Sequence, residues 1–357
     1  EIYEHAPYAE YGLDRLRRFR DYTYELGTFQ EYNSPTYTVI AIQELAAVRA
    51  MSRTPEARRI AAEMLDVAWK MIAAHYHAPS GQWSGPHSRS YSTLLNIGAI
   101  SFLHLATNGA VALPENAEFA YNVEWYGCGE EIRCPEQYLS AFTEAREMSV
   151  RQTVHRPDYG GVLNEATTYM NETFSLGTFS KDVMWNQRRN LIAYMPGGKS
   201  AAYASLRFLH DGYDYSSAVF TCRQHQSAAL FGLNFCTNGG DTHIGLDPID
   251  GFIEAEDLRL RLEIGGGLEQ VSLPSDLPEH AETVTLRIAN LKVTLQKLFA
   301  AFGDERTYWE IQREADVIGI DYVVYSGARK KVDFRKMRQA LLVFAFHLQS
   351  CTDPHSG

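Results

Sequence analysis

The chain has 357 residues, of which 45% are hydrophobic and 22% charged, and its formal net charge is -11. That apolar content suffices for one large core or two smaller ones and excludes a disordered chain. The acidic balance argues against general nucleic-acid binding, which needs a basic face, and no apolar run approaches the ~20 residues of a membrane-spanning helix.

The opening "EIYEHAPYAEYGL" has neither a starting Met nor a signal-peptide pattern and reads as a mature form or a fragment. From Tyr11 to about Leu105 the pattern is helical. In "GTFQEYNSPTYTVIAIQEL", Ser34 followed by Pro35 signals the start of a helix that runs on through "AAVRAMS". Asn33, Tyr32 and Tyr37 exceed what capping needs, and side chains at the mouth of a helix are well placed to meet a ligand. A second helix follows Thr54 and Pro55, with Ile60, Met64, Val67 and Met71 recurring three or four apart. A third fits "YSTLLNIGAISFLHLATNG". Between these two lies "HAPSGQWSGPHSRSYS", too rich in Gly, Pro and Ser for a helix and too aromatic for a plain linker.

The stretch Ala110 to Ser140 has little periodicity and reads as a connector. Beyond Ala145 the period becomes two, as in Leu258 to Ile264, Val284 to Phe299, "TYWEIQRE" and "DYVVYSG", which predicts antiparallel sheet. Asn238 to Asp241, Gly265 to Gly267 and "SGARKK" read as turns. The expected divisions are a helical part over 1–125, a connector over 126–145 and a sheet part over 146–357. Five cysteines form no metal-ligand pattern; Cys128 and Cys134 are spaced to close a disulfide in an exported protein. The sequon at Asn171 to Thr173 is compatible with export.

His87, Arg89 and Tyr91 alternate with serines, so an extended loop projects all three from one side, and alternate helix junctions open on one end, bringing Asn33 toward them. Amide, cation, imidazole and phenol suit β-elimination at a uronic acid. Asn33 and Arg89 neutralise the carboxylate, His87 or Tyr91 takes the C5 proton, and Tyr91 protonates the leaving oxygen. That chemistry demands no metal or organic cofactor.

These residues resemble those of the polysaccharide lyases with an incomplete α/α toroid followed by an antiparallel β-sandwich, the heparinase II/III-like, alginate and chondroitin lyase group. There an Asn or His from a helical junction, a Tyr from a later loop and a His from the sheet domain occur in the order of Asn33, Tyr91 and His225. The resemblance implies an α+β multidomain fold of that kind, an acidic polysaccharide or oligosaccharide as partner, and a secreted or periplasmic location, with the cytoplasm left open. About four helices are too few for a closed toroid, which suggests a missing N-terminal part. "CRQHQSAALFGLNF" resembles the histidine-bearing strand of the group, but Arg223 and Gln226 depart from its metal-binding pattern and argue against a structural divalent metal. "YMNETFSLGTFSKDVMWNQRRNLIAY" resembles an inner-sheet segment, in which Trp185, Gln187 and Arg188 form a sugar-binding wall.

Two other readings compete. A glycoside hydrolase needs two carboxylates about 5–9.5 Å apart, and Glu31, Glu165 and Glu172 are candidates without a pairing spacing. A non-catalytic carbohydrate-binding module needs only an aromatic groove, for which Tyr32, Trp83 and Trp185 are available.

Overall fold

The computed structural model describes residues 5–120, 129–156, 160–198, 200–235, 251–274 and 277–351. The helices are α1 (Ala6–Leu26), α2 (Tyr37–Met51), α3 (Pro55–His75) and α4 (Ile97–Ala106). In α3 a buried stripe runs through Ile60, Met64, Leu65, Ala68, Trp69 and Ile72. Each large side chain in it stabilises the layer by about 1.5–3 kcal/mol. Pro55 opens this helix, and Tyr76 leaves it for a two-residue strand, Tyr76–His77, paired with Gln82–Trp83.

Two large antiparallel sheets follow. The nine-stranded sheet runs Tyr308–Arg313, Val317–Asp333, Phe252–Gly266, Ala202–His210, Leu191–Met195, Ser175–Phe179, Val162–Met170 and Met148–Arg156, with Tyr213–Asp214 beside Ala202–His210. The seven-stranded sheet runs Val271–Ser272, Thr283–Ile288, Leu291–Phe302, Ala340–Ser350, Ala228–Asn234, Val219–His225 and Lys181–Val183. Strand alternation sorts their faces. Leu258, Leu260 and Leu262 join Phe220, Phe231 and Phe344 of the other sheet in one apolar core. The intervening Arg259, Arg261 and Glu263 point to the opposite face, where Asp321 accepts from both arginines.

The helices do not stand apart from these sheets. Val154, Ala166 and Phe179, from three strands of the nine-stranded sheet, belong to the same apolar cluster as Ile60, Trp69 and Phe102. Ile192, Tyr194 and Tyr203 continue that face and pack against Leu94. This overturns the expected toroid of helix hairpins followed by a sandwich. Among the described residues helices make up 26% and strands 41%, in three antiparallel sheets. Helical periodicity reported an apolar stripe on each helix but not its partner, and the partner here includes the sheet.

Several local expectations also change. Gly265 and Gly266 lie inside the strand Phe252–Gly266, and the "SGARKK" stretch lies inside Val317–Asp333, so neither is a turn. The single run Val284 to Phe299 is a hairpin, broken at Ala289 with φ of 51°. The third helix is shorter than expected, beginning only at Ile97, where Asn96 caps it by accepting from Ala99 N at 2.9 Å. In the connector, Glu136–Phe142 forms a short 3-10 helix that places Ala141 and Phe142 in the helical cluster. Cys128 and the Asn238 to Asp241 turn lie outside the described residues, and Cys134 is a buried thiol whose pKa burial pushes up to about 12. Among the described residues no helix is long and apolar enough to cross a membrane, and no group of three or more His, Cys, Asp or Glu could hold a metal ion.

Candidate functional site

Three segments distant in sequence are knotted together beside α2: the turn 31–34, the loop 84–92 and the loop 185–190. His87 and Arg189 exchange backbone hydrogen bonds of 3.3 and 3.0 Å, Ser90 N donates to Gln187 O at 2.7 Å, and Ser88 N donates to Tyr32 O at 3.1 Å. The helix begins at Tyr37, with Thr36 rather than Ser34 at its cap position, two residues later than expected; Ser34 Oγ still accepts from Tyr37 N at 3.0 Å and donates to Arg89 O at 2.7 Å. Short polar side chains thus satisfy loop backbone that would otherwise be buried without partners.

Asn33 holds the centre of the knot and is completely buried. Its Nδ2 donates to Ser84 O at 2.8 Å and Pro86 O at 3.0 Å, and its Oδ1 accepts from Trp83 Nε1 at 2.5 Å. Its φ of 49° lies in the left-handed region, which Asn tolerates better than most residues. His87, 1% exposed, donates from Nδ1 to Asn33 O at 2.7 Å, and its Nε2 lies 3.4 Å from Tyr194 Oη. Burial pushes its pKa down to about 3, so the ring stays neutral. Asn33 and His87 therefore meet, but inside the protein, and neither is placed to touch a sugar. Trp83 is buried with them, and Tyr32 is buried with its hydroxyl 2.7 Å from His75 Nε2. These are corrections to the expected roles of all four residues.

The outward side of the knot carries Arg89, Tyr91 and Tyr37. Tyr91 is 55% exposed, so His87 and Tyr91 do not project from one side as an extended loop requires. The Tyr37 and Tyr91 hydroxyls are 2.9 Å apart. The Arg89 guanidinium lies 4.9 Å from the Tyr37 ring centroid and 5.2 Å from that of Trp185. Its Nε donates to Gln187 Oε1 at 2.8 Å and its Nη1 to Glu31 Oε1 at 3.0 Å. Burial opposes the Arg89 charge, but Glu31 together with Tyr37 and Tyr91 outweighs it and holds the pKa above the ordinary value. The hydrogen bond to Tyr91, followed by burial, raises that of Tyr37.

Arg188 lies 5.5 Å from the Trp185 ring but also donates to the fully buried Asp182, which accepts from Arg156 Nε at 2.5 Å. Its charge is thus largely committed to the interior. His225 is exposed on Val219–His225, where Phe220 and Cys222 enter the core. Strand alternation puts His225 on the opposite, outer face of the seven-stranded sheet, away from the core side. Of the hydrolase candidates only Glu31 belongs to this cluster. Glu165 is inside Val162–Met170, and Glu172 lines a separate hollow with Arg146 and Glu147. The phenol pair, Glu31 as the Arg89 partner and His75 were the residues sequence reasoning missed in these roles. Tyr37 and Tyr91 were each singled out, but no sequence signal joins their hydroxyls.

Residues 10–124 match a domain of unknown function (DUF8769), which takes in most of the helical layer and the 84–92 loop. No curated protein matches the chain.

Proposed function

We propose that the protein cleaves a uronate-containing carbohydrate by β-elimination at the Arg89, Tyr91 and Tyr37 cluster. The observation that carries this reading is the 2.9 Å contact between two accessible phenols beside an arginine with part of its fork unused. Among the described residues Arg89 Nη2 makes no hydrogen bond, which leaves that edge for a carboxylate. Neutralising the carboxylate acidifies the C5 proton. The 2.9 Å contact allows Tyr37 to keep its proton and donate toward an ionised Tyr91, which is the acceptor in this reading.

In the resulting step the Tyr91 phenolate takes the C5 proton, becoming a neutral phenol, and the C5–H electron pair forms the C4–C5 double bond. The C4–O4 bond breaks, and O4 takes a proton from Tyr37. A proton passed from Tyr91 to Tyr37 along their hydrogen bond restores the pair. Trp185 and Gln187 supply a stacking face and an amide at the edge of this cluster.

The test is a screen of uronate polysaccharides for the ultraviolet absorbance of an unsaturated uronate. Tyr91→Phe is expected to lower turnover by ~10²–10⁴-fold, the range for a lost acid–base group, with the unfolding midpoint unchanged. Arg89→Ala should raise KM and lower kcat together. Wild-type turnover in Tyr91→Phe would remove that residue from the mechanism. Uronate binding without absorbance change in the native protein would favour the binding-module reading, for which the existing Glu31 contact on Arg89 is the supporting observation.

A further inference from the structure

A second hollow is lined by residues other than those of the Arg89 cluster. A cavity of about 700 Å³ opens between the end of α1, the outer stripe of α3 and the strand Met148–Arg156. Its wall includes Ala62, Val67, Met71, Ala74 and Val150, with Tyr24 at the rim and Tyr32 and His75 at the floor. The floor is neutral. His75 Nδ1 donates to Met71 O at 2.7 Å, so Nε2 accepts from Tyr32 Oη, and burial pushes the ring's pKa down to about 4. A charged ligand group therefore finds no partner at depth and must stay at the mouth.

The mouth offers both signs. Asp66 and Lys70 both line it, and i,i+4 positions sit on one helix face about 5–6 Å apart at Cβ. Asp66 Oδ1 is fixed by Tyr138 Oη at 3.0 Å and Gln137 Nε2 at 3.3 Å, while Oδ2 has no hydrogen bond among the described residues. Lys70 makes no ion pair with Asp66 or with any other described residue, although it is exposed and in the same stripe. Glu63 also lines the cavity, but its oxygens are taken by Arg59 and by the Tyr24 hydroxyl at 3.2 Å, which leaves the anchored Asp66 carboxylate and a separate ammonium above an apolar wall to complement a ligand carrying the reverse pair of charges next to an apolar group.

We propose that this cavity binds a zwitterionic amino-acid compound with a large apolar side chain. The ligand ammonium meets Asp66 Oδ2, its carboxylate meets Lys70, and its side chain enters between Val67, Met71 and Val150. The volume is in the range of small-molecule sites and accommodates a free aromatic amino acid or a dipeptide. Nothing in this assignment depends on the Arg89 cluster, which is built from other residues.

Calorimetric titration of the full chain with L-tryptophan, tryptamine, indole-3-propionate and maltose tests it. L-tryptophan should bind, with tryptamine and indole-3-propionate each at least about 10-fold weaker because each lacks one ionic contact. Asp66→Asn should erase the preference for L-tryptophan over indole-3-propionate, and Lys70→Met the preference over tryptamine. Both positions are exposed, so both variants should unfold at the native temperature. Ala62→Trp, which fills the cavity, should abolish binding. No heat with L-tryptophan, equal affinity for its two truncated analogues, or preference for maltose would overturn the assignment.

Discussion

Asn33 shows how one side chain can be essential to a site without touching a ligand. Replacing it with alanine strands the buried Trp83 indole N–H and removes donors from two loop carbonyls, in a backbone conformation alanine disfavours. Asn33→Ala is expected to destabilise the protein by about 3 kcal/mol, read as a lower urea midpoint. Lost turnover at an unchanged midpoint would instead mean that the amide meets substrate. The residue stands out in the sequence because it is polar beyond capping need, and that surplus was real. Its cause was buried backbone demand, which a linear sequence does not display, since Ser84 and Pro86 are some fifty positions away.

At the scale of elements, the 84–92 loop is set by how closely it meets the sheet. A Cβ on Gly177 would lie 2.0 Å from the Gly85 backbone, and Thr168 Oγ1 donates to Gly85 O at 2.6 Å. Gly177→Ala must push the loop off the strand Ser175–Phe179. The expected cost is about 3 kcal/mol in chemical denaturation, together with loss of any activity that depends on Arg89 and Tyr91. A near-native midpoint would show that the loop is not held there. The helical and strand periods were legible because each reports one buried face of one element, as the alternation of Leu258 to Ile264 does. The packing of Ala166 and Phe179 under the helices was not legible. An inward residue looks the same whichever layer covers it.

For the molecule as a whole, buried neutral histidines make stability depend on pH. His75, His77 and His87 are held by burial at pKa values of about 4, 4 and 3. Unfolding returns each ring to its ordinary value near 6.5, so the unfolded chain binds more protons between those values. Their contribution is complete above about pH 6.5 and is lost as the pH falls toward 4 and below, on the order of a few kcal/mol for each ring. The melting temperature should therefore drop steeply across that window. His75→Gln and His87→Gln variants should show a shallower decline, and a flat native profile would refute the assignment of these rings as buried and neutral.

Composition, periodicity and start signals by themselves determined that helices come first and antiparallel strands follow, that a helix begins shortly after Ser34 and Pro35, and that the 84–92 loop is more than a linker. Each of those depends on residues close together in the chain. Only the tertiary structure decided that the helices lie on the nine-stranded sheet, that Asn33 and His87 face inward while Tyr37 and Tyr91 meet outside, and that His225 stands on another surface. These outcomes depend on which buried faces and backbone groups find one another across long separations, and burial is a property of the assembled layers rather than of any one segment.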